Sequence, residues 1–328
     1  MNSAFVTGGS GYVGRNLIRH LVERGVKVRA LARSNEARNA VEAVGATAVG
    51  GDLDDRAALV RGCTAVECVF HAAAKVDEWG EPEAFERINV RGTRNVLEAC
   101  EETKAPRLVH VSTEAVLAGS GPLVGVDEST PIPARFAGEY SRTKALAERE
   151  LAKARNTRVI IVRPRFVWGG DDTTLIPAFA EAVREGRFAW IGRGDHLTST
   201  CHIDNLVHAL WLAAVHPAAH GCYFVTDGDP IAFREFLTEM MATQNVALPS
   251  KSVPRGVAGW VASAGEWAWR RFDRAGKPPV TRMVVTLLGG EVTVNDAKIR
   301  RELGYAEIRS REQGLQQLRA RHLERAGL

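Results

Sequence analysis

The chain has 328 residues, of which 45 % are hydrophobic and 25 % are charged, and its formal net charge is +4. This is the balance of an ordinary globular protein, long enough for one large domain or for two modest domains that share an interface. The small net charge argues against nucleic acid as a partner, and no apolar run reaches the ~20 residues that a membrane span needs.

The cysteines and the first residues indicate where the protein works. Five cysteines, an odd number, are scattered along the chain without the paired spacing of a zinc site. We therefore expect reduced thiols and no metal site. The opening residues, MNSAFVTGG, run directly into a strand and a glycine loop rather than into a signal peptide. These features predict a soluble, cytoplasmic protein.

The first half of the chain alternates between apolar strands and amphipathic helices. AFVTG and VKVRALAR are predicted strands, and GRNLIRHLVERG between them has helical spacing that ends at Gly25. Further predicted strands follow in ATAVGGDL, AVECVFHAAA, RLVHVST and RVIIVRP, with helical segments between them. This alternation predicts an α/β fold with a doubly wound parallel sheet (Rossmann), whose ligands bind at the carboxyl ends of the strands.

The pattern loosens in the second half, where short strands, helices and aromatic residues mix without strict alternation. We predict that residues 1–168 form a dinucleotide-binding Rossmann domain. Residues 169–328 are then mainly a smaller C-terminal substrate-binding lobe. Residues 200–227 are expected to return to the main sheet.

A glycine loop joins the first strand to the first helix. TGGSGYVGRN places Gly8, Gly11 and Gly14 there, where they permit a tight turn, close backbone approach to a pyrophosphate and close helix–strand packing. The N-terminus of the helix offers free N–H groups and partial positive charge to phosphates. With a strand before it and a helix after it, this loop predicts a dinucleotide site.

The end of the second predicted strand indicates which dinucleotide binds. A site for NAD usually has a carboxylate here, whereas this chain has Ala32 and then Arg33. A guanidinium suits the 2′-phosphate of NADP, so we expect NADP to be preferred, with NAD as the alternative. After the third strand, Asp52 and Leu53 are expected beside the adenine ring. For Asp52 and Asp54, capping of the next helix is the competing interpretation.

A tyrosine and a lysine four residues apart supply the chemistry. In YSRTK, Tyr140 and Lys144 lie on one face of a predicted helix. A free tyrosine has a pKa of about 10, too high for a general base at neutral pH. A nearby ammonium favours the phenolate and lowers that pKa. Tyr140 would then exchange a proton with the oxygen of an alcohol or ketone.

Together these motifs resemble an extended short-chain dehydrogenase/reductase of the NAD-dependent epimerase/dehydratase superfamily. The resemblance rests on TGGSGYVG, GDLDD, VFHAAA, NVRGTRNVLEAC, YSRTKALAE, VRPRFVWG and CHIDNLVHAL. The later segments look most like the 3β-hydroxysteroid dehydrogenase and sterol-4-carboxylate dehydrogenase branch. The resemblance implies an enzyme that transfers hydride between NAD(P) and a secondary alcohol or ketone. The implied cofactor contacts are Gly8, Gly11, Tyr12, Val13, Gly14, Arg33, Asp52, Leu53, Ala72, Ala73, Lys75, Tyr140 and Lys144.

The resemblance also implies a third catalytic residue after the fifth strand, in VHVSTEAVLAG. Aligning the strand gives Thr113, whose hydroxyl can donate to a carbonyl, and Ser112 is the second choice. Aligning the terminal AG gives Glu114, which has no hydroxyl. A carboxylate here also raises a dehydratase as an alternative, although dehydratases carry Asp-Glu where this chain has Glu114 and Ala115.

The second half indicates the type of substrate. Trp260 and Trp267 are seven residues apart on one helical face, with Trp269 close by and four basic residues following. We expect either an ordinary packed helix or a lid over a bulky, steroid-like substrate, with peripheral contact to a membrane surface. The alternatives are a nucleotide-sugar epimerase and a non-catalytic NADP-binding redox sensor. The family resemblance implies a homodimer.

Four other polar residues receive structural interpretations. We expect His71 to line the cofactor site from a strand end, and Asn89 to order a water or a helix backbone. His202 and Asp204 are expected to anchor the chain where it returns to the core.

Overall fold

The structure is a computed structural model, and it describes residues 1–119 and 121–326. The apolar runs of the first half form β-strands. The strands are β1 (Ser3–Thr7), β2 (Lys27–Ala32), β3 (Thr47–Gly50), β4 (Cys68–His71), β5 (Arg107–Val111), β6 (Leu123–Val126), β7 (Arg158–Pro164), β8 (Val167–Trp168), β9 (Trp190–Ile191), β10 (Leu197–Thr198), β11 (Cys201–His202), β12 (Gly221–Val225), β13 (Ile231–Ala232), β14 (Ser252–Val253) and β15 (Val292–Val294).

The helices cover the sheet and build the second lobe. They are α1 (Tyr12–Glu23), α2 (Asn35–Glu42), α3 (Arg56–Cys63), α4 (Pro82–Phe85), α5 (Gly92–Thr103), α6 (Glu139–Leu151), α7 (Leu175–Arg184), α8 (Ile203–Val215), α9 (Phe233–Ala242), α10 (Arg255–Arg271), α11 (Arg282–Leu288), α12 (Ala297–Leu303) and α13 (Arg311–Ala326). A π-helical turn (Glu86–Arg91) precedes α5, and a 3₁₀ turn (Glu114–Leu117) follows β5.

Within the described residues, the main sheet has seven strands in the order β12-β7-β5-β4-β1-β2-β3. All neighbouring strands run parallel. The order changes direction between β1 and β4, which is where a doubly wound sheet opens a crevice for a ligand. The predicted fold class is confirmed.

Helices cover both faces of this sheet, and each strand contributes to both cores because its successive side chains point to opposite sides. Phe5 of β1 packs in one core with Leu59 of α3 and Val96 of α5. Val6 packs in the other core with Leu17 of α1, and Leu210 of α8 belongs to that same core. Near-continuous apolar strands are thus explained by helices on both sides.

The smaller lobe has its own sheet, in the order β13-β10-β15-β6, and its own aromatic core around Trp168, Trp190 and Phe236. The chain passes between the lobes more than once, because β6 pairs with β15 in the smaller sheet and β12 pairs with β7 in the main sheet. The division at residue 168 stays a prediction.

No helix in residues 1–119 or 121–326 is long and apolar enough to cross a membrane. In the same residues, no cluster of three or more potential ligands could hold a metal ion.

Candidate active site

The glycine loop brings three backbone segments unusually close together. Gly8 follows β1 with a φ of +73°, and a Cβ on it would lie 2.5 Å from the backbone nitrogen of Ala73. A Cβ on Gly14 would lie 2.1 Å from the carbonyl oxygen of Gly8. Only glycine fits at either position, since each obstacle is backbone. Helix α1 begins directly after this loop, so its free N–H groups lie at the same edge of the sheet.

A cavity of about 320 Å³ lies beside the loop. Seven of the predicted cofactor contacts line it, namely Gly8, Gly11, Arg33, Asp52, Leu53, Ala72 and Ala73. A cradle without side chains, next to a helix N-terminus, suits a pyrophosphate. The residues that are present therefore fit a dinucleotide.

Six predicted contacts do not line this cavity: Tyr140 and Lys144, which lie on α6, and Tyr12, Val13, Gly14 and Lys75. The side chain of Tyr12 is buried in the core, and burial raises the pKa of its phenol well above the ordinary value. Val13 and Gly14 lie in the first turn of α1. The ammonium of Lys75 forms an ion pair with Asp77, and the backbone N–H of Lys75 donates to Asn89 Oδ1 at 2.7 Å.

Two arginines line the cavity together with Asp52 and Asp54. Arg33 follows β2 and is exposed, and it has no ion-pair partner among the described residues. Arg87, which the sequence did not indicate, reaches the cavity from the π-helical turn and pairs with Asp54 at 3.6 Å.

The helix α3 is capped by Asp55 rather than by Asp54. The Asp52 carboxylate accepts the N–H groups of Asp54 and Asp55 at 2.9 and 3.1 Å.

The predicted catalytic pair, Tyr140 and Lys144, lies on α6, which begins next to Gly138. The ammonium of Lys144 is buried and donates to the carbonyl of Val111, at the end of β5, at 2.7 Å. It also lies 3.0 Å from His110 Nε2. Burial lowers the pKa of Lys144 to about 8. Burial, and then the charge of Lys144, lower the pKa of His110 well below its ordinary range, so His110 is a neutral acceptor.

The phenol of Tyr140 has the opposite pKa shift from the one expected. Burial, and then the carboxylate of Glu114, raise the pKa of Tyr140, while a hydrogen bond with Thr113 lowers it. The ammonium of Lys144 is directed at the end of β5, where it donates to the carbonyl of Val111. Tyr140 is therefore protonated at neutral pH in this chain.

The structure separates the candidates for the third catalytic residue. The Thr113 hydroxyl lies beside the Tyr140 phenol, accepts the N–H of Ala115 at 3.1 Å and donates to Glu114 Oε2 at 2.7 Å. The Ser112 hydroxyl instead donates to Glu148 Oε1 at 2.5 Å. Thr113 is thus placed near the phenol, and Ser112 is engaged elsewhere.

Glu114 is held by an arginine that sequence reasoning left without a role. Arg165 Nη1 donates to Glu114 Oε1 at 2.8 Å, and both side chains are buried. The same guanidinium donates to the carbonyl of Leu287 at 2.6 Å and to Thr198 Oγ1 at 3.3 Å. Because Leu287 and Thr198 belong to the smaller lobe, this ion pair joins that lobe to the end of β5.

The remaining predicted residues have structural positions. His71 ends β4 but is fully buried between Thr7 Oγ1, at 2.7 Å, and Thr93 Oγ1, at 2.9 Å, so it does not line the cavity as expected. Asn89 fixes the backbone of Lys75, and His202 caps α8 by accepting the N–H of Asp204 at 3.2 Å.

A second cavity, of about 350 Å³, opens at the start of α6, next to Tyr140 in sequence. Its lining includes Gly138, Glu139, Arg135, Arg142, Glu266, Arg270 and Arg282. Glu139 pairs with Arg142 at 2.9 Å, and Glu266 pairs with Arg282 at 2.7 Å. The side chain of Arg135 is exposed and has no hydrogen-bond or ion-pair partner among the described residues.

Comparison with known proteins identifies relatives along the whole chain. Residues 5–255 match the 3-beta hydroxysteroid dehydrogenase/isomerase family. The chain is 46 % identical over 318 residues to 4-hydroxy-2-methyl-3-oxo-4-farnesyl-3,4-dihydroquinoline-1-oxide ketoreductase of Stigmatella aurantiaca, covering 96 % of this chain and 95 % of that protein. It is 34 % identical to 2-alkyl-3-oxoalkanoate reductase of Stenotrophomonas maltophilia (strain K279a), covering 96 % and 98 %. It is 28 % identical to 3-beta-hydroxysteroid dehydrogenase of Mycolicibacterium neoaurum, covering 96 % and 90 %.

Solved structures share the fold over the full length. The crystal structure of gox2253 superposes with a TM-score of 0.80 at 27 % identity, covering 100 % of this chain and 99 % of that chain. MoeE5 in complex with UDP-glucuronic acid and NAD superposes with a TM-score of 0.74 at 22 % identity, covering 100 % of both chains. At that identity the second likeness shows the fold alone.

Proposed function

The chain belongs to the 3-beta hydroxysteroid dehydrogenase/isomerase family, and we propose that it is an NADPH-dependent reductase of a ketone that carries a long hydrocarbon chain. The family and the named relatives are oxidoreductases of the extended short-chain dehydrogenase/reductase type. The cofactor preference, the catalytic roles and the substrate are the parts that we propose.

The names of the two most similar relatives given above support the substrate class. Each name describes a 3-oxo group whose neighbouring carbon carries a hydrocarbon chain, farnesyl in one and alkyl in the other. Each substrate also has a polar oxygen, an N-oxide or a carboxylate. The arginine-lined cavity at the start of α6 offers Arg135 to such an oxygen. A steroid, named for a relative at 28 % identity, is the less similar alternative.

The proposed chemistry places Tyr140 as the proton donor. When bound, the nicotinamide cofactor supplies the hydride that reduces the carbonyl carbon. Tyr140 gives its phenolic proton to the carbonyl oxygen, and the Thr113 hydroxyl turns its single O–H from Glu114 Oε2 to donate a hydrogen bond to the same oxygen. Lys144, charged below its pKa of about 8, holds the ribose of the cofactor and lends positive charge to the developing phenolate.

The single observation that carries this proposal is the Tyr140 phenol beside the Thr113 hydroxyl, at the carboxyl end of the same parallel sheet that carries the glycine loop. Burial and Glu114 raise the pKa of the phenol, which favours the protonated form that ketone reduction needs. Arg33, without a carboxylate beside it at the end of β2, supports NADPH over NADH.

A substrate panel tests the proposal. The purified chain is mixed with NADPH or NADH and with 2-alkyl-3-oxoalkanoates, farnesylated quinoline ketones, steroid ketones or UDP-sugars, and the nicotinamide absorbance is followed. We expect NADPH to be consumed in proportion to alcohol formed from the chain-bearing ketones. Turnover of UDP-sugars alone, with no net change in absorbance, would instead identify an epimerase and overturn the proposal.

A further inference from the structure

Helix α10 turns an apolar face to solvent. Trp260 is 73 % exposed, Trp267 64 % and Val257 51 %, and with Val261 they recur at helical spacing on one side. The opposite side, at Ala258 and Ala262, is buried. A surface helix of a soluble protein normally exposes a polar side, whereas α10 is apolar on its outer side as well as at Ala258 and Ala262.

The same segment is rich in exposed positive charge. Between residues 255 and 277 the basic residues are Arg255, Arg270, Arg271, Arg274 and Lys277, and the acidic residues are Glu266 and Asp273. Glu266 is buried and paired with Arg282, and Lys277 pairs with Glu78 at 2.6 Å. The exposed positive charge of this segment therefore comes mainly from Arg270, Arg271 and Arg274, with Asp273 as its exposed carboxylate. The guanidinium of Arg274 lies 5.2 Å from the ring centroid of Trp269. Tryptophans flanked by arginines are typical of a helix that lies in a lipid interface.

We propose that the outer face of α10 docks on the surface of an anionic lipid bilayer, with Trp260 and Trp267 inserted among the headgroups and the basic residues on lipid phosphates. The charge of the segment complements anionic lipid. A second copy of this chain is a poorer occupant, because a two-fold axis would place the same basic residues against each other.

The exposed apolar face of α10 lies on the same helix as two residues that line the cavity at the start of α6. Glu266 and Arg270 of α10 line the cavity at the start of α6, the helix that carries Tyr140. If the substrate is the chain-bearing ketone of the proposed function, it partitions into bilayers, and a docked α10 places the cavity mouth at the lipid surface.

Vesicle flotation of the full chain tests the inference. Vesicles of phosphatidylcholine alone, or of phosphatidylcholine with phosphatidylglycerol, are mixed with the protein and floated on a density gradient. We expect flotation with the anionic vesicles only, weakened by salt. The Trp260→Gln/Trp267→Gln variant and the Arg271→Gln/Arg274→Gln/Lys277→Gln variant should each bind at least about tenfold more weakly.

Matched variants carry the same changes elsewhere on the surface. Val124→Gln/Ile308→Gln replaces two exposed apolar residues, and Lys104→Gln/Arg149→Gln/Arg184→Gln removes three exposed charges. Both should float like the wild type. Failure of the wild type to float, or equal flotation of the tryptophan variant, would overturn the inference. So would a tryptophan variant that only loses self-association in light scattering, since that assigns the face to a second copy.

The outcome is separable from that of the proposed function, because flotation needs no turnover. Tryptophan-dependent flotation of a chain that reduces no ketone keeps the docking surface and removes the proposed substrate. Reduction of a short, water-soluble ketone should proceed equally in the wild type and in Trp260→Gln/Trp267→Gln.

Discussion

The cavity beside the glycine loop is shaped by backbone, whereas the surroundings of Tyr140 are shaped by buried side-chain charge. At the cavity, glycine positions such as Gly8 and Gly14 leave no room for a Cβ. Around Tyr140, the ion pair of Glu114 with Arg165 and the contact of Lys144 with His110 set the electrostatics. A backbone site depends on local sequence, and a charged site depends on residues far apart in the chain. Substitutions in the two regions should therefore change different measured properties: nucleotide binding at the cavity, and turnover or stability around Tyr140.

The largest effect is expected at the phenol. Tyr140→Phe removes the proposed proton donor and should lower kcat by ~10²–10⁴-fold, the usual contribution of general acid–base catalysis. Cofactor affinity should stay close to that of the wild type, because the phenol is not a lining residue of the loop cavity. Turnover and NADPH titration on one preparation measure both. Near-wild-type turnover would remove Tyr140 from the mechanism.

Breaking the buried ion pair should mainly affect stability. Arg165→Met leaves the Glu114 carboxylate buried without its partner, which should cost ~3–5 kcal/mol of unfolding free energy. The double variant Glu114→Gln/Arg165→Met should recover most of that loss, because neither charge is left alone. Chemical denaturation measures all three chains.

An exposed ion pair serves as the control. Arg56→Met breaks the pair of Arg56 with Glu102, whose side chains are largely exposed, and should change stability little. If Arg165→Met costs no more than Arg56→Met, the buried pair does not hold the lobes together.

At the cofactor cavity, the charge of Arg33 should affect the choice between NADPH and NADH rather than the stability of the fold. Arg33→Ala should lower the affinity for NADPH by about tenfold or more, since hydrogen bonds to charged groups contribute ~1.5–3 kcal/mol. The affinity for NADH should change little, because it lacks the 2′-phosphate. Titration of both nucleotides gives the ratio, and an unchanged ratio would show that another residue, with Arg87 the first candidate, reads the phosphate.

The backbone cradle can be tested with one methyl group. Gly14→Ala places a Cβ against the Gly8 carbonyl and should cost ~1–3 kcal/mol through overpacking, with weaker binding of both nucleotides. Gly259→Ala, where a Cβ meets nothing within 4 Å, is the matched control and should be neutral or slightly stabilising. Equal melting temperatures for the two variants would contradict the close approach.

The smallest expected effect is a change in pH dependence. Burial lowers the pKa of Lys144 to about 8, so the lysine is charged below that pH and neutral above it. Turnover at saturating ketone should therefore decline as the pH rises through about 8. His110→Leu removes an acceptor that favours the ammonium, so the decline should move to lower pH. A pH–rate profile unchanged by His110→Leu would mean that the histidine does not tune the lysine.

The two regions also differ in how far the sequence predicted them. The parallel strands of the first half, the glycine loop and seven residues that line the loop cavity, Arg33 and Asp52 among them, were indicated by short continuous stretches, because periodicity and glycine spacing are local properties. Arg87 was missed, since it reaches the cavity from a turn some fifty residues further along the chain. The pKa direction of Tyr140 was also missed, because desolvation by burial outweighs the effect of Lys144, whose ammonium is directed elsewhere.

By itself the sequence determined the fold class, the family and the Tyr140–Lys144 spacing, because one turn of helix fixes which residues share a face. Only the tertiary structure decided that Thr113 lies beside the phenol while Ser112 donates to Glu148. It also placed Arg165 on Glu114 and left Trp260 exposed. The physical reason is that burial and charge pairing depend on segments distant in sequence, which no local pattern records.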